Sequence, residues 1–386
     1  MIKNIAILGS TGSIGKSLLK IINTKKIKFK VILLTANKNY KILLKQAKKF
    51  DVKNIIIIDK ESYYKVKSMN LKNINIYNNF YCLKDIFKNK IDYTMSAITG
   101  LDGLIPTFKM VKYSKTIAIA NKESLVCAWN LINKELLKFK TKFVPVDSEH
   151  FSIWFSLNKD LSSRIEKVYL TASGGPFLYK PLSSFNKITI SQSLKHPNWK
   201  MGKKITIDSS TLMNKVFEIL EARNIFNISL NKLSILIHPK SYVHSIIKFS
   251  NGLIKIIAHD TTMTIPIFNT LDVEQFYNIK SKPVNINILN NLNLKEVDEK
   301  RFPLVNILKK VNDKQSLYET IIVSANDEII NMYLNGKIKY ADISKKLFNF
   351  INKKEFTRFK YIQPSSIKEI VKLNNYVRLK INSLVV

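Results

Sequence analysis

The residues best suited to chemistry in this 386-residue chain fall in a few short segments. The first is Gly9-Ser10-Thr11-Gly12-Ser13-Ile14-Gly15, directly after an apolar run at 5–8. Glycines at that spacing let the backbone approach a pyrophosphate, whose charge the N-terminus of a following helix can hold. After the next apolar run, where an NAD-binding loop carries Asp or Glu for the ribose 2′-hydroxyl, the chain reads Thr35-Ala36-Asn37-Lys38-Asn39. With no acid there and Lys38 able to pair with a 2′-phosphate, the segment favours NADP. The lesser alternative is a solvated Lys38 in an ordinary loop.

Two further segments suggest a metal and a phosphate. In Val144-Pro145-Val146-Asp147-Ser148-Glu149-His150 the acids are expected to close a strand. Residues two apart on a strand point the same way, so both carboxylates would face the sheet's carboxyl edge. They would repel unless a hard divalent cation sat between them. Downstream, the pattern predicts a helix over 211–222 on which Asn214, Lys215 and Glu218 share a face. Ser209 and Ser210 would precede it, where hydroxyls and free N–H groups suit a phosphate, and Glu218 would offer a third carboxylate. The same residues also read as a capped surface helix with an intrahelical Lys215–Glu218 pair. His196, Trp199, Met201 and Gly202 lie in a Gly- and Pro-punctuated stretch, about 173–203, with the composition of a mobile lid. His238, His244 and His259 read as structural.

The elements that must position these groups follow from periodicity. Short β-branched runs at 5–8, 31–34, 55–58, 74–77, 93–97, 116–120 and 143–146 alternate with helical spacing at 14–22, 40–50 and 104–111. That alternation implies a parallel sheet with helices on both faces. Runs at 243–249 and 253–259 flank Ser250-Asn251-Gly252, a hairpin signal. From Pro303 onward, 304–311, 317–334, 343–351 and 367–381 are helical in period. The fold class is therefore α/β: a Rossmann-like N-terminal domain over 1–146, a mixed α/β domain over 147–275, a linker at 276–302 and a small helical domain over 303–386.

Composition narrows the classes. The formal net charge is +35 with 46% hydrophobic residues, which is globular despite the charge. Arg stands only at 164, 223, 301, 358 and 378, so the excess is Lys, in a chain also rich in Asn and Ile. All three share A/T-rich codons, and the lysines cluster at most in pairs such as Lys25-Lys26, without the basic blocks of a nucleic-acid surface. No apolar run approaches a membrane span, and no signal-peptide pattern opens the chain. Cys82 and Cys127 make neither a disulfide framework nor a zinc site, so a cytoplasmic location is expected.

Taken together, GSTGSIG (9–15), ANKESLV (120–126), PVDSEH (145–150), LTASGGPF (170–177), HPNWKMGKKITIDSSTLMNK (196–215) with Glu218 and Glu221-Ala222-Arg223, HPKSYVHS (238–245) and Ser324-Ala325-Asn326-Asp327-Glu328 resemble the 1-deoxy-D-xylulose 5-phosphate reductoisomerase family. That family makes 2-C-methyl-D-erythritol 4-phosphate in the non-mevalonate isoprenoid pathway. The resemblance implies NADPH bound by Thr11, Gly12, Ser13, Ile14, Asn37, Lys38, Asn39, Asn121, Glu123 and Gly202. It implies Mg²⁺ or Mn²⁺ on Asp147, Glu149 and Glu218, with substrate touching Lys122, Ser148, Glu149, Ser173, His196, Ser209, Asn214, Lys215 and Glu218. The phosphate would lie on Ser173, Ser209, Asn214 and Lys215, Trp199 and Met201 would belong to a closing flap, and the assembly would be a homodimer. A carbon–carbon bond is cleaved and rejoined to an aldehyde, which NADPH reduces; Lys122, Asp147, Glu149 and Glu218 would be the catalytic set, with Lys122 stabilising oxygen charge. Two departures stand out: Asn37 replaces a common Gly, and Thr262-Met263-Thr264-Ile265-Pro266-Ile267 lacks a family Arg. The competing readings are another NADP-dependent dehydrogenase, which would need a different hydride-site residue, and a nucleic-acid binder, which explains only the charge.

Overall fold

The computed structural model describes residues 2–157, 164–271 and 278–383, so the boundary expected at 275–276 lies outside the described residues. The chain forms two compact units: Met1–Ser124, Ile132–Asp147 and Met263–Lys280 make one, and Leu125–Leu131, Ser148–Thr262 and Ser281–Val386 make the other.

The first unit is built on β1 (Lys3–Leu8), β2 (Phe29–Ala36), β3 (Asn54–Ile57), β4 (Asn75–Tyr77), β5 (Ile91–Ser96), β6 (Ser114–Ile119) and β7 (Lys142–Pro145). Their order in the sheet is β4-β3-β2-β1-β5-β6-β7, and every pairing is parallel. Strands buried on both faces read as continuous apolar runs, which is why the central strands stand out in the sequence, while the edge strands β4 and β7 are partly exposed. Ile5, Ile7, Leu34, Ile55, Ile57 and Met95 are fully buried beneath the helices. The chain order reverses between β1 and β5, the kind of switch point where open α/β sheets bind ligands. The segment lacking the family Arg forms the helix Thr264–Asn269, whose Ile267 joins this core, and Tyr93 Oη lies 2.7 Å from Thr270 Oγ1.

The second unit holds β8 (Ile165–Ala172), β9 (Leu233–Ile237), β10 (Val243–Phe249), β11 (Ile254–Ala258) and β12 (Lys295–Glu296), ordered β11-β10-β8-β9-β12. The Asn251-Gly252 hairpin forms as expected, with Gly252 at φ +85° and β10 antiparallel to β11. β12 comes from the stretch expected to be a linker and pairs with β9. The helix Met213–Phe226 packs Ile219 and Ala222 on Val168, Leu170 and Phe249. Of the expected C-terminal helices, Leu317–Leu334, Asp342–Ile351 and Ile367–Asn382 are α-helical, whereas Pro303–Lys310 is 3₁₀. The stretch expected to be a lid carries short helical pieces at Gly175–Phe177, Leu182–Lys187 and Ile190–Ser193, the last closed by reciprocal Thr189 and Gln192 bonds.

Two local expectations are corrected. β7 ends at Pro145, and Ser148–Ser156 is a helix, so Glu149 sits in a helical first turn and does not share a strand face with Asp147. Asp and Ser just before a first-turn Glu is a helix-start pattern, and it outweighs the strand reading. The helix expected from Thr211 begins at Met213, because Leu212, at φ +58°, divides it from a separate helix, Lys203–Ser210. Ser209 and Ser210 therefore occupy that helix's last turn, where free carbonyls gather, and not a helix start.

Candidate active site

In the first unit the glycine turn has the shape its sequence suggests. Gly9 sits at φ +79°, and a Cβ there would lie 2.7 Å from the Ala97 carbonyl oxygen across the β1/β5 boundary. A Cβ on Gly15 would meet Ser10 Cα at 2.5 Å, so the helix Ser13–Thr24 can approach β1 only with glycine there. Gly12 caps that helix without a side-chain hydrogen bond, and Thr11, Ser13 and Ile14 surround its start. The glycines thus serve close backbone packing of the turn and helix, the geometry that brings a helix N-terminus to the end of β1, where an anion can be held. Asn37, Lys38 and Asn39 are exposed after β2, with Asn39 capping the helix Tyr40–Lys49. The nearby Asp59 carboxyl is held below its ordinary value by the Ser62 N–H and hydroxyl, with a smaller pull from Lys38.

Asn121 is committed to the frame. Its Nδ2 donates to Ile98 O at 2.5 Å and Gly100 O at 2.8 Å, while Oδ1 accepts from Ser124 N–H at 2.8 Å and caps the helix Lys122–Lys138. Glu123 is buried beside it. Lys122, also buried, places Nζ 2.8 Å from Asp147 Oδ2.

In the second unit a charged cluster forms between two helices. Lys215 Nζ donates to Glu149 Oε1 at 2.7 Å and to Glu218 Oε2; Asn214 Nδ2 donates to Glu218 Oε1. Burial opposes the Lys215 charge, but Glu149 and Glu218 outweigh it and hold the ammonium above its ordinary pKa. Ser148 Oγ donates to Glu149 Oε2 at 2.5 Å. His150 Nε2 lies 2.8 Å from the Glu218 carbonyl oxygen and its Nδ1 3.6 Å from Glu221 Oε2, tying the helix bearing Glu149 to the one bearing Glu218. Two carboxylates thus present oxygens to one cationic position, the hard-donor chemistry a Mg²⁺-type ion takes.

His196 organises a second cluster. Its Nε2 lies 3.1 Å from both Ser173 Oγ and Ser209 Oγ, and Nδ1 accepts the backbone N–H groups of Asn198 at 3.1 Å and Trp199 at 3.0 Å. An Nδ1 that accepts leaves the proton on Nε2, which then faces the two serines as a donor. Burial lowers the His196 pKa from 6.5 to about 4. Because the folded value lies below the unfolded one, the stability from the neutral ring is full above about 6.5 and drains away as pH falls toward about 4. Ring ¹⁵N shifts of His196 should stay those of a neutral imidazole from pH 8 to about 5.5; a midpoint near 6.5 would contradict this environment. Trp199 packs edge-on to His244, with ring centroids 6.3 Å apart, Met201 is half-buried and Gly202 caps the helix Lys203–Ser210. His244 and His259 stack at 3.7 Å, and His238 Nδ1 lies 2.6 Å from Leu292 O.

Several supporting residues escaped the sequence reading. Asn198 Nδ2 donates to Pro239 O at 2.7 Å and Ser241 Oγ at 2.9 Å, fastening the His196 loop to the HPKSYVHS segment. Asn326 Nδ2 donates to Asp208 Oδ1 at 2.7 Å, and Lys204 Nζ lies 2.7 Å from Asp327 Oδ1, so the Ser324–Glu328 motif holds the helix that carries Ser209. These residues fall in the family-like segments 196–215, 238–245 and 324–328, but their pairing is not legible there: Asn326 and Asp208 lie 118 residues apart.

Family models describe the same chain in order: 1-deoxy-D-xylulose 5-phosphate reductoisomerase matches residues 5–129, and its C-terminal domain models match 143–226 and 260–380. A relative of that name from Pelagibacter ubique (strain HTCC1062) is 56% identical over 386 residues, covering 99% of each chain. The chain belongs to the 1-deoxy-D-xylulose 5-phosphate reductoisomerase family. A reductoisomerase of Clostridium novyi (strain NT) is 36% identical over 98% of this chain and 100% of its own. Among solved structures, a reductoisomerase complex with NADPH, fosmidomycin and magnesium superposes with a TM-score of 0.90 at 29% identity, over 99% of this chain and 98% of that one. The reductoisomerase from Zymomonas mobilis with NADPH gives 0.86 at 30% identity, over 100% and 99%.

Proposed function

We propose that the groups singled out in the sequence carry the family reaction in this chain: the NADPH- and divalent-metal-dependent rearrangement and reduction of 1-deoxy-D-xylulose 5-phosphate to 2-C-methyl-D-erythritol 4-phosphate. The observation that carries the reading is the pair of carboxylates, Glu149 and Glu218, which have oxygens within 4.8 Å of one another, a hard-donor pair suited to a divalent ion. When bound, NADPH supplies the hydride and the metal acts as Lewis acid and template for the substrate's ketone and neighbouring hydroxyl oxygens.

The chain's own residues do the rest. Asp147, Glu149 and Glu218 hold the ion, Mg²⁺ or Mn²⁺. Lys215 stays protonated and, with Asn214, Ser173 and Ser209, receives the phosphate dianion. His196 keeps its Nε2 proton between the two serines as a neutral donor, and Ser148 steadies Glu149. Lys122 balances negative charge developing on the substrate oxygen. The glycine turn with Thr11, Gly12, Ser13 and Ile14 takes the pyrophosphate, Asn37, Lys38 and Asn39 take the adenosine end and its 2′-phosphate, and Glu123, Asn121 and Gly202 complete that site. Trp199 and Met201 exclude water when the loop closes. With both ligands anionic, the +35 net charge aids their capture.

The working assembly is a homodimer of the non-mevalonate isoprenoid pathway in the cytoplasm. An edge strand, β11, with exposed Ile254 and Ile256 next to exposed Leu253 of the preceding turn, supports pairing with a second copy. Among the described residues no helix is long and apolar enough to cross a membrane.

The purified chain should oxidise NADPH on addition of 1-deoxy-D-xylulose 5-phosphate only with Mg²⁺ or Mn²⁺ present, and EDTA should stop it. Turnover that persists in EDTA would remove the carboxylate set from the mechanism.

A further inference from the structure

The C-terminal helical segment reaches the phosphate subsite through one buried phenol. Tyr340, in the turn before the helix Asp342–Ile351, donates its hydroxyl to the Ser210 carbonyl oxygen at 2.8 Å and lies 3.2 Å from Ser210 Oγ. Ser210 is the last residue of the helix Lys203–Ser210, so this bond fastens a C-terminal carbonyl that no intrahelical donor can reach. Ser209, its neighbour, meets His196 Nε2 at 3.1 Å opposite Ser173.

The phenol is itself held in place. The Tyr340 ring meets Phe177 edge-on at 5.0 Å and Phe185 at 6.0 Å, and Arg301 Nη1 donates to Phe177 O at 2.8 Å. Phe177 closes the Ser173-Gly174-Gly175-Pro176-Phe177 turn, where a Cβ on Gly175 would lie 2.9 Å from Ser210 Cα. The Ser173 turn and the Ser209 helix end are thus clamped against the same ring. Burial pushes the Tyr340 phenol far above its ordinary pKa, so it remains a donor across the working pH range.

We propose that Tyr340 is a positioning residue for the substrate's phosphate group, fixing the helix end on which Ser209 stands and, through Phe177, the turn that carries Ser173. It acts through those serines. The inference rests on the reading above that Ser173 and Ser209 hold the phosphate.

Tyr333 supplies a matched control. Its hydroxyl lies 2.7 Å from Ser193 Oγ, and its ring packs 5.9 Å from Tyr340 in the same cluster. Both Tyr340→Phe and Tyr333→Phe remove one buried hydroxyl, and both should lower the melting temperature. Only Tyr340→Phe should raise KM for the sugar phosphate, about five- to tenfold, with kcat within about twofold and KM for NADPH unchanged. Its inhibition constant for inorganic phosphate should rise in parallel. Equal KM values in the two variants, or a KM for NADPH that rises alongside, would overturn the proposal. If Tyr340→Phe cannot be recovered folded, Phe177→Leu must show the same selective rise in KM, and its absence counts against the idea. Ser209→Ala separates the two levels. If it leaves substrate and phosphate binding intact, the phosphate reading itself is wrong; if it weakens both while Tyr340→Phe does not, only the positioning role fails.

Discussion

Glu218→Gln should lower kcat about a thousandfold or more while NADPH affinity stays within about twofold. The substitution keeps the shape of the side chain and removes the charge. In the wild-type chain Glu218 Oε2 accepts from Lys215 and Oε1 from Asn214, with the side chain almost completely buried. An amide places an N–H donor against one of those donors and takes away one of the anionic oxygens a hard cation requires. The glycine turn at Gly9–Gly15 and the loop at Asn37–Asn39 belong to the other compact unit, so cofactor binding measured by NADPH fluorescence is the internal control. Excess Mg²⁺ should restore part of the activity if weakened metal binding is the cause. Equal loss of turnover and NADPH affinity would mean that Glu218 is a structural residue.

The largest expected effect on stability is at a buried ion pair away from the site. Arg223 Nη2 lies 2.8 Å from Glu319 Oε1, and the two side chains are 2% and 0% exposed. Glu319 also accepts from the Ser316 N–H and hydroxyl, closing the cap of the helix Leu317–Leu334. Glu319→Ala leaves a guanidinium in the interior with, among the described residues, the Asn312 carbonyl and the Asn224 side chain to satisfy it. Removing one partner of such a pair costs about 3–5 kcal/mol, mostly from the stranded charge. A urea unfolding transition at a much lower midpoint is the expected result. The double variant Arg223→Met with Glu319→Leu should recover much of the loss, because replacing both charges with apolar groups removes the desolvation cost. A midpoint unchanged in Glu319→Ala would show that water reaches Arg223.

Local pattern alone determined much of this protein. The central strands of the first sheet were legible because they are short β-branched runs buried on both faces, and the glycine turn because only glycine tolerates φ +79° at Gly9 and the close approach at Gly15. The hairpin at Asn251-Gly252 and the long C-terminal helices followed from turn chemistry and helical period. What the tertiary structure decided is where these elements end and which side chains meet. Glu149 belongs to a helix and Ser209 to a helix C-terminus, boundaries that periodicity resolves poorly because cap and strand-end residues share one polar vocabulary. Lys215 bridges Glu149, 66 residues away, and Arg223 meets Glu319, 96 residues away. Tyr340 reaches Ser210 across 130 residues. No local propensity encodes such pairs: burial lowers the effective dielectric and removes competing water, and that strengthens an ion pair or hydrogen bond only after the core has closed around both partners.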